Sequence, residues 1–412
     1  MPYMMNKKFW INAIIVVNIT IGFAQTESLS NSPYSLYGLG TYNDISTGKT
    51  NGLGRTGLAM PSDVSINSFN PASLGIFSTT SFLYDIGFNA KLENLNQNGI
   101  KEYKKTGNFS DISFAFPINE KSAMSVALVP LTNVGYYISG IKTDVEGYEG
   151  YYLSDFEGSG GLNDLKINYG RSYNKLRIGI SGSLLFGKIS QTETNYIGTT
   201  SLMIDEKNNY TGFRITGGTQ YDVSPKITLG AIVSLPTTLN AKQQYTITQD
   251  GEELLSSSER IEDFKLPMEV GLGTHVKFND RAFMNIDYKR RLWDSTNQSD
   301  GIGDFVDQQL VGLGIEYMPV PTTFTYFSRI QYRIGFNYDS GYLSIKNNRI
   351  DNYAINVGVG LPTNSKNNSL INLAYAYGKN GRIDNGLIKE NYHMLTLNVS
   401  LEGIWFQKKI IY

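Results

Sequence analysis

The fold class this sequence predicts is all-β: a closed antiparallel transmembrane barrel of fourteen strands. Three observations carry the prediction. Apolar residues alternate with small or polar ones at period two along most of the chain. The connections between the alternating segments are short and long in turn, the pattern of tight turns on one side of a membrane and longer loops on the other. Beyond residue 25, no apolar run approaches the roughly 20 residues that a spanning helix needs.

Composition agrees. The 412 residues include 42 Gly, 28 Tyr and 20 Phe, a mixture that disfavours helix and suits strands. With 36 Lys+Arg against 37 Asp+Glu, nothing suggests a polyelectrolyte contact with nucleic acid. The absence of Cys excludes disulfides, thiol nucleophiles and zinc-thiolate or iron–sulfur sites, and only His275 and His393 could supply imidazole.

In chain order, residues 1–24 read as an export signal. Lys7 and Lys8 precede an apolar stretch from Phe9 to Phe23, and Gly22-Phe23-Ala24 puts small residues before a cleavage point at Gln25. The alternative, a membrane anchor, requires a longer run than this one, which Asn12 and Asn18 interrupt. Residues 25–80 are Gly/Ser/Asn-rich and precede the first clear strand. The predicted strands are 82–92, 110–117, 122–139, 160–172, 175–196, 207–222, 226–244, 264–278, 281–293, 308–319, 327–339, 353–361, 369–379 and 392–404. Tyr353, Ile355, Val357, Val359 and Leu361, for example, alternate with Ala354, Asn356, Gly358 and Gly360. The connections 93–109, 140–159, 245–263 and 340–352 read as long polar loops. A soluble sandwich would also alternate, but it gives no reason for every second connection to be short or for Tyr338, Tyr377 and Tyr392 to stand near strand ends.

In a barrel the apolar face meets lipid and the Gly/Asn/Ser/charged face lines the lumen. The candidate lumen charges are Glu269, His275, Lys277, Asp287, Lys289, Arg291, Arg333 and Asp339. A hairpin turning at 279–281 would set Glu269 opposite Arg291 as a brace across the inner wall.

Catalysis is not expected. Neither His has a patterned Ser and Asp partner, and no G-x-S-x-G elbow occurs near them. Asp294, Asp300, Asp304 and Asp307 in one loop miss the EF-hand spacing, so the loop reads as solvated, and no metal or cofactor is expected. Gly52, Gly54 and Gly57 fit G-x-G-x-x-G, but no βαβ unit surrounds them, so they do not indicate a dinucleotide site.

Asn51-Gly52-Leu53-Gly54-Arg55-Thr56-Gly57, followed by Asn70-Pro71-Ala72 and then fourteen strands, resembles the FadL/TodX-type outer-membrane transport family. In that family a Gly-rich stretch and an Asn-Pro-Ala motif form a hatch that plugs the lumen. The resemblance implies a hatch over 25–80, a barrel over 81–412, location in the outer membrane of a Gram-negative bacterium and passive uptake of a small hydrophobic ligand. It also implies a kinked third strand that opens the wall sideways. Pro130 interrupts that strand here and Gly135 follows, and a bulge that merely bends the strand is the equal alternative. The lumenal faces of the last strands, with Asn356, Asn372, Asn398 and Ser400, are no continuous greasy tunnel. Other members of the family act as partners of protein-export machinery, including type IX secretion. Tyr34 to Gly40 and the end Trp405-Phe406-Gln407-Lys408-Lys409 resemble that branch, which implies docking on an outer-membrane protein complex. Outer-membrane lipid is a partner on either reading.

Overall fold

The computed structural model describes residues 32–404, apart from 44–45, 63–64, 78–80, 98, 145–149, 301–302, 320–325, 364–367 and 384–385. The export signal read at 1–24 and the terminal Trp405 to Lys409 lie outside the described residues.

Fourteen antiparallel strands close into a barrel. They are β1 (Ser81–Gln97), β2 (Ile100–Asn119), β3 (Ser122–Asp144), β4 (Tyr151–Tyr173), β5 (Leu176–Ile197) and β6 (Thr200–Ser224). Then come β7 (Ile227–Ser234 and Thr237–Gln249), β8 (Glu252–Leu266 and Glu269–Asn279), β9 (Ala282–Arg291), β10 (Gln308–Tyr317) and β11 (Gln331–Asp339). The last are β12 (Asn352–Pro362), β13 (Leu370–Asn380) and β14 (Lys389–Ile404). Closure is made by β1 on β14, in register from Ser81 opposite Ile404 to Asn96 opposite Lys389. Pro236 and Pro267, which lack a backbone donor, interrupt the neighbouring strands β7 and β8.

The period-two pattern becomes two faces. Ile178, Ile180, Phe213, Leu229, Leu272, Ile334, Ile355 and Leu395 are exposed on the outer wall, and Tyr317, Tyr332, Tyr353 and Tyr377 are exposed with them. The intervening Arg177, Ser181, Asn285, Asp287, Arg333, Asn356, Asn372 and Asn398 are buried inside. Such an inside-out arrangement is stable only where hydrocarbon surrounds the wall.

Two expectations need correction. The stretches 93–109, 140–159 and 245–263 are mostly strand: β1 runs on to Gln97 and β2 starts at Ile100, β3 and β4 extend to 144 and from 151, and β7 and β8 run on to a turn at 250–251. Their many polar residues suggested loops, but a hairpin standing in water tolerates polar side chains on both faces. Residues 326–329 form a 3-10 turn before β11 instead of continuing the strand, and β9 stops at Arg291 before another such turn at Trp293–Thr296.

Candidate functional site

The described residues between 33 and 77 lie inside the wall. Of their 3-10 turns, Gly48–Leu53 is wholly buried, Pro71–Ile76 is buried except for Ile76, and Pro33–Leu36 buries Tyr34 and Ser35. The wall receives this segment on lumen-facing glycines. A Cβ on Gly335 would stand 2.1 Å from the Gly54 nitrogen, one on Gly314 2.4 Å from the Leu53 carbonyl, and one on Gly230 2.2 Å from the Leu58 carbonyl. Gly54 is constrained twice: its φ is +62°, and a Cβ there would lie 2.5 Å from the carbonyls of both Leu313 and Phe336. Gly52 meets Gly358 in the same way, at 3.1 Å.

Asn70 and Pro71 start the third turn. Asn70 is fully buried; its Oδ1 accepts the Ala72 N–H at 3.0 Å, while its Nδ2 donates to the carbonyls of Leu58 at 2.8 Å and Thr219 at 3.0 Å. The side chain thus caps its own turn and ties it to β6. The Pro71 carbonyl group packs against Gly170 and Gly179, and Ala72 is fully buried. The Gly57 and Leu58 N–H groups both donate to Asp287 Oδ2, at 2.6 and 2.9 Å. Asp287 is therefore the wall's clasp on the Gly-rich stretch.

The charged residues form braces. Arg291 Nε donates to Glu269 Oε2 at 2.5 Å across the β8–β9 ladder, where the two residues stand opposite each other. Arg333 is buried, donating to Glu316 at 2.7 Å and to Asn372 at 2.6 Å, and Lys49 of the N-terminal segment reaches Glu316 at 3.9 Å. His275 is buried against Phe283 and bonded through Nδ1 to Asn285 at 2.7 Å. Lys277 is a correction: it is exposed at the turn end of β8, beyond the packed lumen. The acids of the 294–307 loop bind their own chain, Asp307 to Arg290 at 2.8 Å and Asp300 to the Gly38 N–H at 2.5 Å.

Above the N-terminal segment an apolar cap closes the lumen. Trp293 is fully buried and stacks on Tyr342 with ring centroids 4.9 Å apart, and Phe305 and Tyr42 meet it edge-on at 5.5 Å. The loops supplying these rings share a small sheet, Gly303–Phe305 pairing with Leu343–Ile345. They pack on Val134, Leu162, Leu185, Ile189 and Leu239 of the wall. Tyr34 fastens the N-terminal segment to this layer, its hydroxyl donating to the Ile388 carbonyl at 2.6 Å and accepting the Ile388 N–H at 3.0 Å. Burial pushes the Tyr34 hydroxyl pKa up, so it stays a neutral donor. Sequence reasoning missed the cap; the aromatic residues Trp293 and Phe305 within an otherwise polar loop were the available signal.

Between β2 and β3 the wall opens in a seam. β2 pairs with β3 only from Asn119 opposite Ser122 to Ile112 opposite Leu128, whereas β2 continues on β1 to Ile100 and β3 continues on β4 to Asp144. Pro130 sits just above the last pair, and the β3 register shifts between Pro130 and Thr132. Thr41–Tyr42 pairs with Thr132 and Asn133 on this edge, and the Ser35 hydroxyl bonds both the N–H and the carbonyl of Gly135, at 3.0 and 3.1 Å. Asn108 reaches across the seam to Asn133 at 3.2 Å. A cavity of about 50 Å³ lies behind it, lined by Asn51, Arg55, Phe109, Pro130 and Asn133. A second cavity of about 170 Å³, with Tyr42, Arg55, Asn89, Arg291, Asp339 and Glu390 among its lining, lies between the segment and the cap.

A fourteen-stranded wall around its own N-terminal segment defines a class, the FadL-like outer-membrane barrel fold. The chain superposes on the CymD monoaromatic hydrocarbon channel with a TM-score of 0.58 at 15% identity, covering 89% of this chain and 100% of that one. It matches the Pseudomonas putida toluene transporter TodX at 0.58 and 14%, covering 89% and 100%, and a Pseudomonas aeruginosa FadL homologue at 0.59 and 14%, covering 88% and 99%. At such identities the likeness is one of fold. No curated protein sequence matches the chain. The BamG family model matches residues 5–411, and the chain belongs to the BamG family. That match carries no statement about type IX secretion.

Proposed function

We propose that this chain is an outer-membrane barrel, sealed by its own residues, that works as a docking partner in an outer-membrane protein complex. The observation that supports this best is the filled lumen. The N-terminal segment is bonded to the wall through Asn70 and Asp287, and the cap around Trp293 lies over it. The cavities of about 170 and 50 Å³ are lined largely by polar and charged side chains. Pockets that enclose apolar ligands usually measure roughly 300–1,000 Å³ and are mostly apolar. Membership of the BamG family, over nearly the whole chain, is compatible with a role other than that of the hydrocarbon channels sharing the fold. The reading assigns no catalytic step, since His275 is spent on Asn285 and Phe283. Extraction of the native protein in mild detergent, followed by mass spectrometry, tests it. Stoichiometric recovery with other outer-membrane proteins is expected, and recovery alone with a bound amphiphile would overturn it.

The seam favours a second reading, passive uptake of a small hydrophobic ligand past the N-terminal hatch and out sideways beside Pro130. Pro130→Val restores a donor where β2–β3 pairing stops, and a chain without Cys permits an Asn108→Cys/Asn133→Cys pair to be bridged across the gap by a short bifunctional thiol reagent. Uptake of toluene by cells that is unchanged by both variants rules the side opening out.

A further inference from the structure

The upper part of β8 is an edge strand that, among the described residues, pairs with a strand on one side only. Glu252–Leu266 pairs with β7 from Glu252 opposite Gln249 to Leu266 opposite Thr237. On its other side β9 begins only opposite Glu269. The foot of the edge is covered, because the Lys265 N–H donates to Gln298 at 2.9 Å and Phe264 packs on Trp293 and Phe305. From Glu252 to Asp263, among the described residues, the only strand paired with it is β7. Every residue from Glu252 to Arg260 is exposed, Leu254 and Leu255 included.

The other two free edges of the wall are occupied differently. Those of β2 and β3 face each other across the seam, where Thr41–Tyr42 and Asn108 partly fill the gap. Along the β8 edge, by contrast, every residue from Glu252 to Arg260 is exposed. Register shifts at Glu253/Leu255 and Ile261/Phe264 bracket a regular run, Leu255 to Ile261, which contains Ser256, Ser257 and Ser258. On such an edge every second residue turns its N–H and C=O outward, and only another extended main chain matches that spacing. Between 250 and 263 the chain carries Asp250, Glu252, Glu253, Glu259, Glu262 and Asp263 against Arg260 alone. Arg260 is already held by Asp263 at 2.9 Å. The charges that keep neutral and acidic strands off this edge attract a basic one.

We propose that the free β8 edge docks a basic, extended segment of a protein partner by strand addition, with Glu259 and Glu262 selecting its charge. The proposal rests on the docking reading and names the surface that does the docking. The test uses the full chain in detergent and a fluorescent octapeptide of alternating Lys and Val, read by anisotropy. Binding is expected; it should be lost when the peptide is N-methylated along one edge and weakened about tenfold or more by Glu259→Lys/Glu262→Lys, both exposed positions outside the barrel's packed interior. No binding, or binding that survives N-methylation or the charge reversal, overturns the proposal. So does self-association that the same double variant abolishes, which would make the occupant a second copy. A native complex recovered intact from the charge-reversed variant discards this edge and keeps the docking reading. Peptide binding by a protein that extracts without partners discards the docking reading and keeps the edge.

Discussion

The two sides of the barrel solve the same closure problem differently. From β1 to β6 the strands run 17 to 25 residues, and β7 and β8 reach similar lengths in two pieces. From β9 to β13 they run only 9 to 11. The shorter length is that of a strand crossing a bilayer at a tilt, about 9–11 residues. At about 3.3 Å per residue the 25-residue β6 is roughly 80 Å long, far more than the crossing requires. The tall side has tight turns at 198–199 and 250–251, while on the short side Trp293, Gly303–Phe305 and Leu343–Ile345 fold inward. One side supplies a wall and the other a lid that leans on it. The inner face of β5 shows the junction, since Arg177, Gly179, Ser181 and Ser183 give way to Leu185 and Ile189 where the lid arrives. On this strand the inner face is thus polar where it meets the N-terminal segment and apolar where it meets the lid, while elsewhere Leu58 and Phe69 of the segment pack on Ile232 of the wall.

Removing the ring at the centre of the lid should have the largest effect. Trp293→Ala is expected to cost about 3–5 kcal/mol of local packing. It should loosen the 340–351 loop, so that trypsin cuts faster after the already exposed Lys346 and Arg349 while the wall stays intact; cleavage as slow as in the parent would show that the lid does not depend on this ring. The lower, polar zone is probed by a glycine pair. Gly335→Val drives a side chain into the Gly54 backbone and should cost about 1–3 kcal/mol or more. Gly217→Val, at a site with no atom within 4 Å of a Cβ, should cost nothing measurable. Maleimide labelling of a Thr56→Cys reporter separates the two, since only Gly335→Val should loosen the segment. The smallest effect belongs to the tall wall's projecting hairpin. Arg260→Ala breaks an exposed ion pair with Asp263 worth about 0–1 kcal/mol and should leave the melting temperature unchanged.

Much of the wall was legible in the sequence because a strand at a lipid boundary must alternate, and the alternation of Tyr353 to Leu361 or Leu395 to Leu401 states which face is which. The extended hairpins were not legible. Strand 252–263 has no buried face to impose a period, so Ser256-Ser257-Ser258-Glu259 reads as loop although it pairs residue for residue with β7. The Gly-rich stretch was recognisable by its composition, but its partners were not: nothing in Gly54 points to Phe336, or in Asn70 to Thr219, 149 positions away.

The sequence by itself determined the strand count, the lipid-facing set and the N-terminal segment's place before the wall, because these follow from local periodicity and from residue types with restricted backbone choices. Only the tertiary structure decided what fills the lumen, where β2 and β3 part, and that one acidic edge pairs, among the described residues, on one side only. Those features depend on which distant residues closure brings together, and no local pattern records the register of a ring.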